Sequence, residues 1–347
     1  MSSWSKRLIA SYILDWVVIV AIAAAGAGLN FITPYQRPFS LLDLSLSFPF
    51  KTEQISITVL GIVSLIGPAA VIAVVTLLFV PGPQYSRQLS RRKLISLKLW
   101  ELEKGLAGLA LSVATAFFVT QGMKNMFGKP RPNSMGMCMP DLTNVQAHAI
   151  GGYGQGISDR WVLVNSSICT QTDISVLRDA FRSFPSGHCS FSWSGLLYLT
   201  FFICSKFAVV IPHLPLISGA LLRSVPHELL PLHESNASAR PSGETGSNDS
   251  KLTLRDLAAS PPNHLIVIAF IPVAVAIYIC STRFVDYYHF GFDIISGSLI
   301  GIISASSAFR WYHMPLGRGE GWAWGPRSKN CAFGIGVGVG SYVARDV

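Results

Sequence analysis

Charge is what this sequence has least of. Only 13% of its 347 residues are Asp, Glu, Lys or Arg, where a soluble domain carries about 25%. That scarcity argues against an ordinary soluble protein and makes a chain dissolved in lipid the first hypothesis. Acidic residues are the fewer, 18 against 27 basic, for a formal net charge of +9. The basic excess forms no stripe interleaved with aromatics, so a nucleic-acid partner is not expected. The six cysteines include no CxxC pair and no Cys/His zinc spacing, which argues against a zinc centre. Cys204 and Cys280 fall in apolar runs and read as core. Alternating glycines from Gly334 to Gly340 lack the strand-to-helix context of a nucleotide loop and read as a flexible tail.

What is present is hydrophobicity: half of the chain is apolar, and the mean hydropathy is +0.44. Six segments, near residues 8–32, 55–80, 105–123, 189–211, 264–280 and 292–309, are long and apolar enough to cross a bilayer, which takes about 20 residues each. The expected fold is therefore all-α, a polytopic bundle of six transmembrane helices. The first segment exceeds the roughly 7–15-residue apolar core of a signal peptide and reads as a retained anchor. Asp15 within it is expected to face the bundle or to snorkel. Gly297 and Gly301 make a GxxxG step in the last segment, a sign of close helix packing.

Basic residues orient the bundle. Lys6 and Arg7 precede the first segment, and Arg87, Arg91, Arg92, Lys93 and Lys98 crowd the connection after the second. Arg223, Arg240, Lys251 and Arg255 follow the fourth, while Arg310, Arg318, Arg327 and Lys329 follow the sixth. With an even number of spans all four groups share one side, the cytoplasmic one. Residues 234–250 are polar and read as a flexible cytoplasmic insertion, and 311–347 as a cytoplasmic tail. The connection from Lys124 to Arg182 then lies on the lumenal or extracellular side. It holds a glycosylation sequon at Asn165 and two cysteines, Cys138 and Cys169, that can form a disulfide if that side is oxidising.

That second side should be poor in cations, yet Lys124, Lys129, Arg131, Arg182 and Arg283 gather at its helix ends. Snorkelling at the interface is the bland explanation. It leaves their company unexplained. Ser186 and Gly187 would open the fourth helix, whose first N–H groups and dipole make an anion seat, with His188 beside it as a proton donor. Arg283 adds a planar fork suited to phosphate oxygens. If Gly291 onward is helical, His289 and Asp293 stand four apart on one face, where the carboxylate would hold one imidazole nitrogen and leave the other as nucleophile.

Three ordered stretches, Lys124-(six residues)-Arg131-Pro132, Pro185-Ser186-Gly187-His188 and Arg283-(five residues)-His289-(three residues)-Asp293, resemble the signatures of the lipid phosphate phosphatase family. This family is also called type 2 phosphatidic acid phosphatase and is related to the vanadium-dependent haloperoxidases. The likeness covers residues 100–310 within a phosphatase domain of 1–310, and departs from the family at Thr282, where Ser is usual. It implies His289 as nucleophile forming a phosphohistidine, Asp293 fixing its tautomer, and His188 as general acid. Lys124, Arg131, Ser186, Gly187 and Arg283 would bind the phosphoryl oxygens, with no metal or other cofactor. The implied substrate is a membrane lipid phosphate such as phosphatidate, lysophosphatidate or diacylglycerol pyrophosphate. The catalytic site would lie at the lumenal or extracellular helix ends of an endomembrane, vacuolar or plasma-membrane protein. Polyprenyl-pyrophosphate or sphingoid-base phosphate hydrolysis is the alternative within the class, because the signatures read the phosphate and not the tail. A non-catalytic lipid-binding relative or a transporter is the alternative outside it. The scattered acids Asp141, Asp159, Asp173, Asp179 and Asp286 show no carboxylate pairing of the Mg²⁺ type.

Overall fold

The structure is a computed structural model that describes residues 6–210, 260–316, 322–327 and 333. The insertion 234–250, the cations Arg223 to Arg255, and the glycine run 334–340 lie outside the described residues. Among those described are six helices of eighteen residues or more: α1 (Lys6–Leu29), α2 (Ile57–Phe79), α3 (Arg91–Phe127), α4 (Gly187–Lys206), α5 (Asn263–Val285) and α6 (Gly291–Tyr312). The protein is a mostly helical integral membrane protein. Five of these helices, all but α4, are long and apolar enough to cross a membrane.

The exception has a physical reason. Helix α4 packs against α3, α5 and α6, and little of it needs to meet lipid. It can therefore carry polar residues that lower its hydropathy: the hydroxyls of Ser190, Ser192, Ser194 and Ser205 all bond back to carbonyls three residues earlier. From α3, Ser112 donates to the Ser194 carbonyl at 2.9 Å and Thr120 to the Ser190 hydroxyl at 2.8 Å. Helix α6 approaches α4 through Gly297 and Gly301. A Cβ at these positions would lie 2.4 Å from the Ser186 carbonyl oxygen and 2.6 Å from that of Ser190. Tyr198 and Phe202 of α4, Leu109 of α3, Ile72 of α2 and Phe309 of α6 form the main core.

Helix boundaries depart from the hydropathy reading mainly in α3. It begins at Arg91, so Arg91, Arg92, Lys93 and Lys98 ride on a helix that extends beyond the apolar run instead of crowding a loop. Its other end is set by Gly128, which adopts φ +53 and caps the helix. A side chain there would also strike the Tyr35 carbonyl, since a Cβ would lie 1.6 Å from its oxygen. At the opposite end of the bundle, residues after α6 fold back. Ala323 N–H donates to Glu101, and Arg327 pairs with Asp15 at 2.8 Å. Asp15 is thus compensated by a cation 312 residues away.

The site end is covered by a small cap with its own core of Phe39, Met137, Val164, Ile168 and Phe181. Three short strands, β1 (Phe39–Ser40), β2 (Ala149–Gly151) and β3 (Leu163–Val164), pair antiparallel in the order β1-β3-β2. Cys138 and Cys169 are joined by a disulfide in this cap. Asn165 caps the turn Ser166–Ile168, its Oδ1 accepting from Ser167 N–H at 3.2 Å.

Candidate active site

The site is assembled where three connections meet: residues 30–56, residues 128–186, and the short link between α5 and α6. Each feeds it from a helix end. Lys124 is in the last turn of α3. A Cβ on Gly187 would stand 3.5 Å from its Nζ, so the ammonium faces the first turn of α4. Lys124 has no hydrogen bond or ion pair among the described residues. Arg131 follows the Gly128 turn. Its Nε and Nη2 donate to the Asp179 backbone carbonyl and carboxylate at 2.7 and 2.5 Å, while Nη1 lies 3.5 Å from the Tyr288 carbonyl.

Helix α4 opens at Gly187 with Ser186 as an extended cap residue and no side-chain cap, so its first N–H groups await a partner. Ser186 N–H donates to the Asp293 carbonyl at 3.0 Å, whereas its hydroxyl is buried without a partner. Buried orphan polar groups are uncommon and call for a ligand or water. His188 places Nε2 3.0 Å from the Ile55 carbonyl. That carbonyl can only accept, so Nε2 carries hydrogen and Nδ1 is the nitrogen left for exchange.

Helix α5 brings Arg283 in its last turn, fully buried. The guanidinium donates to Asp286 at 3.1 Å and to the Thr282 hydroxyl at 3.2 Å. The departure at Thr282 thus retains a hydroxyl that holds the arginine. Asp286 is itself gripped by Gln54, through N–H at 3.0 Å and the amide at 2.7 Å. The helix then ends on Tyr287 at φ +62, with Tyr288 N–H returning to the Arg283 carbonyl. This left-handed stop is usually made by glycine; here Tyr287 stacks on Phe48 at 4.7 Å. The reversal turns His289 into the site.

His289 is 2% exposed, and its Nδ1 meets the Ser183 carbonyl at 2.7 Å. The acceptor fixes hydrogen on Nδ1 and leaves the Nε2 lone pair free. Burial, then the charges of Arg131, Lys124 and His188, push the imidazole well below its ordinary pKa. It stays neutral at physiological pH. Tyr288 beside it is pushed up to about 12, chiefly by burial.

One expectation is corrected. Asp293 does not hold the His289 ring. The helix does start at Gly291, but His289 lies ahead of it and its Nδ1 is already taken by the Ser183 carbonyl. Asp293 instead stands at the third helical position, where a carboxylate caps the exposed N–H groups. It accepts from Phe290 N–H at 3.1 Å, from the Ser183 hydroxyl at 2.6 Å, and from Lys129 at 2.8 Å. It reaches the imidazole only through Ser183.

Lys124, Arg131, Ser186, Gly187, His188, Arg283 and His289 therefore come together, with Asp293 one layer behind. Arg182 is drawn elsewhere, to Asn30 and Gln121 at 2.9 Å each. Glu53, which no motif predicts, lies 3.5 Å from Arg283 and 3.9 Å from His188. Ser183 and the Ile55 carbonyl are likewise invisible in the sequence, because backbone acceptors leave no trace in residue type. Only Asp286 had a signal, three residues from Arg283 on a helix.

Cations, helix N–H groups and a neutral histidine around one buried point suit a phosphoryl group. Residues 105–316, well over half of the chain, match the PAP2 superfamily. The chain belongs to the PAP2 superfamily. Diacylglycerol pyrophosphate phosphatase 1 of Saccharomyces cerevisiae is 26% identical over 82% of this chain and 73% of its own length. The probable diacylglycerol pyrophosphate phosphatase 1 of Schizosaccharomyces pombe is 27% identical, over 87% and 81%. Probable lipid phosphate phosphatase 4 of Arabidopsis thaliana is 22% identical, over 93% and 80%. No solved structure matches the chain. The resemblance to lipid phosphate phosphatases carried by the three signatures is thus family membership, and the PAP2 region runs from within α3 to just beyond α6.

Proposed function

We propose that this PAP2 protein hydrolyses lipid phosphate monoesters and pyrophosphates through a phosphohistidine, with phosphatidate, lysophosphatidate and diacylglycerol pyrophosphate as substrates. The names of the yeast relatives support the pyrophosphate lipid. The observation that carries the mechanism is the 2.7 Å contact of His289 Nδ1 with the Ser183 carbonyl inside a ring of cations. A buried, neutral imidazole with a fixed tautomer presents Nε2 as a nucleophile. Lys124, Arg131 and Arg283, the Ser186 hydroxyl and the first N–H groups of α4 hold the phosphoryl oxygens and stabilise the charge that grows in the transition state. Their positive charge does the work that a metal ion does elsewhere, so the reaction runs in EDTA. His188 protonates the leaving oxygen through Nδ1.

The six-helix body 1–310 acts as one phosphatase domain with its catalytic core at about 100–310. The site faces the lumen or exterior, because Arg87, Arg91, Arg92, Lys93, Lys98 and Arg310 mark the other side as cytoplasmic. Phosphate then sits at headgroup depth while the acyl tails remain in the bilayer. The test is phosphate release and phosphoenzyme trapping in mixed micelles with EDTA present. His289→Ala should lose both, and His188→Ala should slow phosphoenzyme formation most for poor leaving groups. Wild-type turnover by His289→Ala would sink the nucleophile assignment.

A further inference from the structure

The strap formed by residues 48–55 crosses the site and carries a carboxylate into it. Phe48 stacks on Tyr287, the Lys51 backbone carbonyl accepts from the Tyr288 hydroxyl at 3.0 Å, and Gln54 grips Asp286. Between these anchors Glu53 divides its two oxygens. Oε1 stands 3.5 Å from Arg283 Nη1 and Oε2 3.9 Å from His188 Nε2. The same His188 nitrogen meets the Ile55 carbonyl at 3.0 Å. Both groups that meet Nε2 thus come from the strap, and Nδ1 is left toward the substrate.

Arg283 does not need Glu53 as a counter-ion, since Asp286 already pairs with it at 3.1 Å and is nearly as buried. His188 does need one. To give a proton from Nδ1 it must hold hydrogen on both nitrogens, as an imidazolium. Three cations face it: Arg283 from α5, Lys124 from α3 and Arg131 from the loop after α3. A buried cation among cations is unfavourable unless an anion is near. Glu53 is the one carboxylate within 4 Å of the ring among the described residues. Arg283, Arg131 and Lys124 face Glu53 as well, and Asp179 opposes them. Burial pushes the Glu53 carboxyl up, and these cations favour its ionised form.

We propose that Glu53 is a positioning residue for the proton donor of this reaction, its carboxylate holding His188 as the imidazolium while the phosphoryl group transfers. The inference rests on the mechanism proposed above. In the first step the bond from phosphorus to His289 Nε2 forms as the bond to the leaving oxygen breaks, and the His188 Nδ1 proton passes to that oxygen. In the second, neutral His188 takes a proton from water whose oxygen attacks phosphorus. The phosphorus–nitrogen bond breaks, releasing phosphate and restoring the imidazolium beside Glu53.

A leaving-group comparison tests this in the full-length protein. Glu53→Gln keeps the shape of the side chain and removes its charge. With dioctanoyl phosphatidate, whose alkoxide must be protonated, kcat/KM should fall about tenfold or more, part of the roughly 10²- to 10⁴-fold that a general acid contributes. The loss should lie in kcat, and Glu53→Asp should recover part of it. With para-nitrophenyl phosphate, whose phenolate leaves unaided, the change should stay within about twofold. Gln54→Ala loosens the strap without touching the charge and should affect both substrates alike. An equal loss on both substrates in Glu53→Gln, or no loss on either, overturns the proposal. His188→Ala separates the two failures. If it also lacks the split, the general-acid reading has failed; if it shows the split and Glu53→Gln does not, only the role of Glu53 has.

Discussion

If Asp293 acts on the nucleophile through Ser183, then Ser183→Ala must impair the reaction although its backbone carbonyl remains. The substitution removes one hydrogen bond, from the serine hydroxyl to the Asp293 carboxylate at 2.6 Å, between two fully buried residues. Asp293 keeps Phe290 N–H and Lys129, so it stays compensated and the loss is that single charge-assisted bond. Such a bond is worth about 1.5–3 kcal/mol. At about 1.36 kcal/mol per tenfold, losing all of it from the transition state lowers kcat about 10- to 150-fold. KM should change little, because the Ser183 carbonyl meets the nucleophile and not the lipid. Asp293→Asn should be more severe, since Lys129 loses its anion too. Its side chain is 32% exposed, so water takes over part of that loss. The assay is steady-state hydrolysis of phosphatidate in mixed micelles, paired with a rapid-quench measurement of the phosphoenzyme burst. Thermal unfolding in detergent separates misfolding from mispositioning. A Ser183→Ala protein with wild-type burst and turnover, beside a crippled Asp293→Asn, would refute the relay and return Asp293 to direct contact with the imidazole.

Gly297→Ala should damage the site from behind. Its Cβ would press at 2.4 Å on the Ser186 carbonyl and at 3.2 Å on Cys189 Cβ, and overpacking of this kind costs about 1–3 kcal/mol. Because Ser186 opens the proposed phosphate seat, kcat/KM should fall along with thermal stability. Gly291→Ala, with nothing within 4 Å, should do neither; equal behaviour of the two variants would count against the close α4–α6 approach. Asn236-Ala-Ser238 and Asn248-Asp-Ser250 are also sequons, on the side the basic residues mark as cytoplasmic, so in a glycosylating host the protein should lose a mobility shift in Asn165→Gln and keep it in Asn236→Gln and Asn248→Gln. A shift that depends on Asn236 or Asn248 would invert the orientation and put the site in the cytoplasm.

What the sequence by itself determined is whatever is written in consecutive residues. Hydropathy runs located the six long helices among the described residues to within a few residues at most ends, because the need to cover a helix with apolar side chains is met locally. The three signatures named residues that converge in the fold for the same reason: spacing along a helix end or a tight link dictates which side chains and N–H groups can come together. Local sequence says less where a neighbour in space takes over. The run that became α4 met the length of a span but not its hydropathy, since its serines face other helices and satisfy their hydroxyls on helix carbonyls. His289 and Asp293 stand four apart at the helix start as the sequence suggests, yet the carboxylate caps that start and the Ser183 carbonyl takes the ring. Only the tertiary structure decided who holds whom. The Ser183 carbonyl orients His289 from 106 residues away, the Ile55 carbonyl orients His188 from 133, and Glu53 enters from a strap before α2. Backbone carbonyls are present at every residue, and a carboxylate in a loop looks like any surface acid. Their roles exist only once the chain has folded, because a hydrogen bond depends on distance and direction in space and not on separation along the chain.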